Sequence, residues 1–317
     1  MVNNQKETIS IYSGLFKKLL LYILTKQDQK REIQNYTMRE KNRSIVELIS
    51  RKEKTDISKY DLSFLNKSIR TRMDENQCVS QQEYLSLIDK NPIERKLLIN
   101  SLNVSYSEFF RNSLTFSVLE KIIIPSIVMN KISSQRKEIR IWSAACAAGQ
   151  ETYSLAILLK EFSIATGERI NFRIFATDQS ETQIKEAQQG KYDYLSISTL
   201  SLKRVDQWFT KSENGYHVKD ELKDHIDFSV FDLLNEQYSC PPSSIFGDFD
   251  LVLCANLLFY YQPEFRAKII DKTSHSLSNI GFLITSETER ETLLRSHFIE
   301  VFPQSAIFRR SSKNICQ

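Results

Sequence analysis

Glycine is scarce in this chain: seven residues in 317, with six prolines, where about 7% glycine is usual. That excludes collagen-like, elastic and Gly/Ser-linker classes and leaves no room for repeated glycine-rich loops. The five cysteines, Cys78, Cys146, Cys240, Cys254 and Cys316, form no CxxC, and the four histidines form no HxxxH or HExxH. Structural zinc and catalytic-metal motifs are therefore missing. The odd, scattered cysteine count fits the reduced thiols of a cytoplasmic protein better than a disulfide framework. Long apolar runs are lacking near the start as well. The stretch from Leu15 to Leu24 is interrupted by Lys17 and Lys18, is too short to span a bilayer and has no small-residue cleavage pattern. It reads as an amphipathic helix that packs on the body or on a partner, without membrane insertion.

What is there is 41% hydrophobic and 26% charged, enough apolar material for a sizeable core. The net charge is +4, and it is concentrated at the front: residues 1–61 hold 13 Lys and Arg against 8 Asp and Glu. An overall balance this mild does not argue for nucleic acid. The basic front end reads either as a solvated face or as a surface for an acidic partner.

Along the chain, residues 1–43 read as an accessory helical extension. From Ile45 to about Lys131 apolar residues recur at helical spacing, as in Ser80–Ile88 and Ile93–Leu102, and Asn91-Pro92 is a helix start. This predicts a small all-helical N-terminal domain over 44–131. From Glu138 short apolar runs alternate with amphipathic helices: Ile139–Ala144, Phe172–Ala176, Phe228–Leu233, Phe249–Cys254 and Phe282–Thr285 as strands, with helices over Glu151–Phe162, Glu181–Gln189 and Pro263–Leu277. Such alternation predicts an α/β domain over 132–317, with a doubly wound, mostly parallel sheet. Phe298–Val301 and Ala306–Arg309, joined by a turn with Pro303, read as a C-terminal antiparallel hairpin. Asn214-Gly215 marks a small β-insertion at about 210–227.

In such a sheet ligands bind beyond the carboxyl ends of the strands, where strand order reverses. The first strand runs into Ser143-Ala144-Ala145-Cys146-Ala147-Ala148-Gly149, small residues that let the backbone approach a ligand closely. The second strand ends in Asp178, where a ribose diol would be gripped; a helix-capping Asp178 after a plain buried turn is the alternative. The loop is not GxGxxG, which argues against a dinucleotide and suits a nucleoside without phosphate. Cys146 and Cys254, at strand ends, read as small packing residues.

Several motifs in order then resemble the CheR family of chemotaxis receptor methyltransferases, over roughly Ile45 to Arg310: Asn91–Arg111 with its Phe-Phe-Arg ending, Trp142–Ala156, Ala176-Thr177-Asp178 with Ala187–Tyr192, Phe231–Tyr238 and Phe249–Tyr261. The resemblance implies a class I type methyltransferase sheet with S-adenosyl-L-methionine as cofactor. Its implied reaction is transfer of a methyl group to glutamate side chains of chemoreceptor cytoplasmic helices, by a cytoplasmic, monomeric enzyme. By the same resemblance Arg111 is the active-site arginine, contacting cofactor or substrate carboxylate, and Tyr260 stands beside the transferred methyl. Ser105, Ser107, Ala145, Gly149, Gln150, Asp178, Asp232, Leu233, Ala255 and Asn256 would contact the cofactor. Lys67, Arg70 and Arg72 would form the basic face that meets the receptor.

Ser105 and Ser107 stand where the family usually has Asn and Thr, and Asp232 where it usually has Asn; two further departures carry more weight. Gln150 replaces the acid expected to meet the cofactor's ammonium, a loss of about 1 kcal/mol of binding, and Ala255 replaces a second active-site arginine. A cofactor-binding module with little activity, and a methyltransferase acting on a non-receptor substrate, are the alternatives. The β-insertion corresponds to the family's receptor-docking subdomain; with Gly215 as its one glycine it looks short, which predicts an enzyme that does not depend on a receptor's terminal tail.

Overall fold

The computed structural model describes residues 26, 37–132, 137–244 and 246–311; the expected helix at Leu15–Leu24 lies outside them. The chain divides into two compact units between Leu102 and Asn103. In the first, α1 (37–53), α2 (Leu62–Glu75), α3 (Gln81–Lys90) and α4 (Pro92–Ser101) enclose a small core that includes Ile49, Leu65, Ile69, Tyr84, Ile88 and Leu98. Side chains start the helices. Asp61 accepts from the N–H groups of Ser63 and Phe64, Ser80 from that of Glu83, and Asn91 from those of Ile93 and Glu94. Pro92 occupies the first turn of α4, where its missing N–H costs nothing.

The sequence reading carries the helical domain to 131, whereas the first unit closes at Leu102. The reason is burial. The helical run of α5 (Ser113–Val118), a π-helical turn (Leu119–Ile123) and α6 (Ile124–Ile132) sinks Phe116, Leu119, Ile123, Ile124 and Ile127 into the core of the second unit. By length and composition this 20-residue run could cross a membrane; here those five side chains are buried in the unit's core, while Leu114, Ile122, Met129 and Ile132 are exposed.

The second unit's main sheet comprises β1 (Ile139–Ala144), β2 (Phe172–Asp178), β6 (Ile226–Val230), β7 (Phe249–Leu253), β8 (Leu277–Ile284), β9 (Phe298–Glu300) and β10 (Ile307–Arg310), in the order β6-β2-β1-β7-β8-β10-β9. The first five are parallel; β10 and β9 add antiparallel to the β8 edge. This is the mostly parallel, doubly wound sheet with a closing hairpin that the sequence pattern predicts. Order reverses between β1 and β7, so the loops following these neighbouring strands part and open a crevice. The helix α7 (Gln150–Thr166) is apolar nearly all round, with Thr152 to Leu159 buried without a break, as a helix between sheet and outer layer must be. Helices α8 (Glu181–Gln189) and α9 (Pro263–His275) complete the layers.

The insertion is a three-stranded antiparallel sheet in the order β3-β5-β4, from β3 (Lys191–Tyr192), β4 (Phe209–Ser212) and β5 (Gly215–Val218). It draws in Lys191 and Tyr192, which the sequence reading leaves outside it. The hairpin is present, but Asn214-Gly215 is not its two-residue turn. Ser212 pairs with Gly215, the connecting residues are Glu213 and Asn214, and neither has a positive φ. Gly215 is needed for a different reason: its φ is +139°, and a Cβ there would lie 2.3 Å from the Tyr192 carbonyl oxygen.

Candidate functional site

The crevice holds a pocket of roughly 690 Å³, counting its open mouth. Its floor is the β1–α7 loop, whose backbone is left-handed at Ala145 (φ +58°), Ala147 (+48°) and Gly149 (+91°). Such strain persists only where surroundings enforce it, and here they do. The Cys146 N–H donates to the Thr177 carbonyl, the Gly149 N–H to the Cys146 carbonyl, and the Tyr192 hydroxyl to the Ala148 carbonyl at 2.6 Å. A Cβ on Gly149 would meet Ala187 Cβ at 3.1 Å, so the loop lies tight against α8.

Asp178 closes β2. Its Oδ2 accepts from the Ala147 N–H at 3.0 Å and its Oδ1 from the Ser180 N–H at 2.9 Å. Burial raises its carboxyl and these backbone donors lower it, with burial prevailing. The Asp178 carboxylate therefore both caps the turn and faces the pocket. The adjoining strand β6 ends at Val230, earlier than the sequence pattern suggests: its partner β2 stops at Asp178, whose carbonyl takes the last ladder bond from the Phe231 N–H, and Asp232 Oδ1 then accepts from the Leu234 N–H in a turn. Phe231, Asp232 and Leu233 then line the pocket as a loop.

Glu151 lines the pocket from the first turn of α7. Its carboxylate makes no hydrogen bond among the described residues, and desolvation pushes its pKa up to about 7, against the pull of Arg111 and with the push of Glu289. Arg111 is held by its neighbours in sequence. Phe109 is buried edge-on against Tyr192 and Phe209, and the Phe110 N–H donates to Ser154 Oγ at 3.1 Å. The Arg204 guanidinium covers the Phe110 ring at 4.2 Å. The Arg111 guanidinium donates to the Tyr106 carbonyl at 3.2 Å, stacks on the Tyr106 ring and forms no ion pair among the described residues. Its charge lowers the pKa of Tyr260, which burial raises.

A family model described as "CheR methyltransferase, SAM binding domain" matches residues 105–306. The chain belongs to the CheR methyltransferase family. The chemotaxis protein methyltransferase of Borreliella burgdorferi is 31% identical over 65% of this chain and 72% of its own. Chemotaxis protein methyltransferase Cher2 of Pseudomonas putida is 29% identical over 64% and 72%. Among solved structures, the magnesium protoporphyrin IX methyltransferase of Synechocystis is a distant likeness, at 15% identity, a TM-score of 0.31, and 66% and 74% coverage. As a CheR methyltransferase the protein uses S-adenosylmethionine.

The residues present suit that cofactor. Glu151 offers an unsatisfied carboxylate for an ammonium, Asp178 and Asp232 offer acceptors beyond the neighbouring strands β2 and β6, and two buried polar atoms of pocket residues, Ser107 Oγ and Gln183 Oε1, have no partner.

Of the expected cofactor contacts, Ser105, Ser107, Ala145, Asp178, Asp232, Leu233, Ala255 and Asn256 are brought together in the CheR pocket wall. Arg111 and Tyr260 flank it. Gly149 and Gln150 do not line it: Gly149 shapes the loop from below, and Gln150 is buried with its Oε1 unpartnered. The carboxylate that does line the pocket at this helix start is the next residue's, Glu151. Cys146 and Cys254 are buried, and desolvation raises both thiols, which suits packing rather than nucleophilic roles. The basic face in the first unit is smaller than expected. Lys67 and Arg70 are exposed on α2, but Arg72 turns inward to pair with Glu94 and Glu75, and the Tyr84 hydroxyl also donates to Glu94 at 2.9 Å. Breaking that buried pair for a partner would strand Glu94.

Sequence reasoning passes over Asn103, Tyr106, Gln179 and Gln183 in the pocket wall. The first two interleave with Ser105 and Ser107. Gln179 stands in the bend before the N-cap Ser180 and Gln183 in the first turn of α8, so both follow Asp178 at the pocket end of β2.

Proposed function

We propose that this CheR methyltransferase methylates glutamate side chains of chemoreceptor signalling helices, giving γ-methyl esters in the cytoplasm. The observation that carries the reading is Arg111: a guanidinium beside the pocket, next to Tyr260, with no carboxylate paired to it among the described residues. Its planar fork suits a substrate carboxylate. The pocket wall itself holds no Lys or Arg among the described residues, since Ala255 stands where the family has its second arginine.

S-adenosylmethionine, when bound, supplies an electrophilic methyl on a sulfonium that is its own leaving group. The chain's residues have modest work to do. Glu151 would hold the ammonium, Asp178 the ribose hydroxyls, and Asp232, with Leu233, the adenine side. Arg111 would orient the glutamate oxygen, and Tyr260 would wall the site against water. A glutamate carboxylate is ionised at neutral pH, so no base has to remove a proton. Alignment in a shielded site is the main contribution. Lys67 and Arg70 are the basic pair proposed to meet the acidic receptor helices.

The test is incubation with methyl-labelled cofactor and purified receptor cytoplasmic fragments, with the modified residues mapped by mass spectrometry. Label on receptor glutamates supports the reading. Binding of S-adenosylhomocysteine without any transfer favours the low-activity module that Ala255 suggests. Transfer only to other proteins of an extract points to a non-receptor substrate.

A further inference from the structure

The turn after β7 presents three consecutive N–H groups, of Asn256, Leu257 and Leu258, and all three are taken by one distant carboxylate. Glu289 Oε2 accepts from Asn256 at 3.0 Å, and its Oε1 from Leu257 at 2.8 Å and Leu258 at 2.6 Å. Oε2 also accepts from the Ser286 N–H at 2.9 Å and the Ser286 hydroxyl at 2.7 Å. Glu289 is only 1% exposed, and no Lys or Arg pairs with it among the described residues. A buried carboxylate without a counter-ion is costly unless donors surround it, and here five do.

The capping box Ser286–Glu289 accounts for the Ser286 bonds alone. The other three reach back more than thirty residues to a turn that is itself strained, with Asn256 at φ +59°. That turn lines the pocket with Ala255, Asn256 and Leu257 and runs directly into the 3₁₀ turn Leu258–Tyr260.

We infer that Glu289 is a positioning residue of the methyl-transfer site, fixing the turn that presents Asn256 and Leu257 to the cofactor and Tyr260 to the reacting groups. The inference rests on the cofactor pocket described above and is independent of the identity of the methyl acceptor. A carboxylate suits this position better than an amide, because an amide nitrogen would face either the Leu257 and Leu258 donors or those of Asn256 and Ser286.

The test uses the full-length chain and S-adenosylhomocysteine, titrated calorimetrically between pH 5.5 and 8.5. Glu289→Gln should weaken binding about tenfold at pH 8, the size of one lost charge-assisted interaction. It should also move the pH midpoint of binding downwards, because the Glu289 charge is one of the two charges acting on Glu151, Arg111 being the other. Glu289→Asp keeps the charge but withdraws the carboxylate by one methylene; it should weaken binding with the midpoint unmoved. Either variant binding with wild-type affinity overturns the inference. So does a Glu289→Gln variant that loses thermal stability while its midpoint and affinity stay at wild-type values. If Glu289→Gln does not fold, the Glu289→Asp affinity decides. Absence of binding by the wild-type chain would bring down the pocket reading itself, and this inference with it.

Discussion

Glu151 carries a carboxylate that its own fold leaves unsatisfied, with a pKa pushed up to about 7 by desolvation. Two consequences of opposite sign follow. The ammonium of a cofactor needs the charged form, so affinity for S-adenosylhomocysteine should be full above pH 7 and fall as pH drops through 7. Glu151→Gln should bind about tenfold or more weakly at pH 8 and lose that pH dependence, as calorimetry would detect. Stability runs the other way. The folded pKa lies above the unfolded value, so between about pH 4.5 and 7 the folded chain binds more protons and becomes less stable as pH rises. Ligand-free Glu151→Gln should therefore be the more stable protein at pH 8, by on the order of 1–3 kcal/mol, as thermal unfolding would measure. At Arg111, substitution by Ala should lower methyl transfer by about a hundredfold or more while the thermal midpoint stays near wild type; unchanged turnover would remove Arg111 from the mechanism. Residue types were legible here and their facing was not. Gln150 and Glu151 are adjacent at a helix start, and which of them points into the crevice depends on where the left-handed Gly149 begins the helix, an angle that no pattern of letters encodes.

The elements were read from periodicity, and periodicity works best where burial is one-sided or complete. Strand β1 and helix α8 fall on the expected residues because their apolar pattern ends where their burial ends. Strand β6 stops short of Asp232 because its partner β2 ends at Asp178, whose carbonyl takes the last ladder bond from the Phe231 N–H, and the end of a neighbouring strand leaves no trace in local sequence. The β-insertion gives the sharper lesson. Asn-Gly correctly announces a hairpin, but the glycine serves a third strand that is distant in sequence. Gly215→Ala should accordingly disrupt the β3–β5 pairing and cost about 1–3 kcal/mol, lowering the thermal midpoint. A neutral substitution would mean that β3 does not approach as closely as the 2.3 Å position implies.

For the molecule as a whole, the alternation of strands and helices made the sheet unit legible, together with its closing hairpin. The boundary before it was not, since the helices of 113–132 have the same amphipathic texture as those of the first unit and differ only in which core they fill. Glu289 was half-legible: Ser286 and Glu289 spell a capping box, but the fold sends the same carboxylate to the β7 turn. The expectation that docking does not depend on a receptor's terminal tail, drawn from the single glycine of the β-insertion, bears on how a substrate is met. Deleting a receptor's C-terminal tail should leave the transfer rate nearly unchanged, and a large fall would show that docking there matters. The central claim is that the product is a glutamate ester, and its chemistry is directly measurable. After transfer from methyl-labelled S-adenosylmethionine to a receptor cytoplasmic fragment, mild base should release the label as volatile methanol. Label that remains on the protein through that treatment would contradict carboxyl methylation.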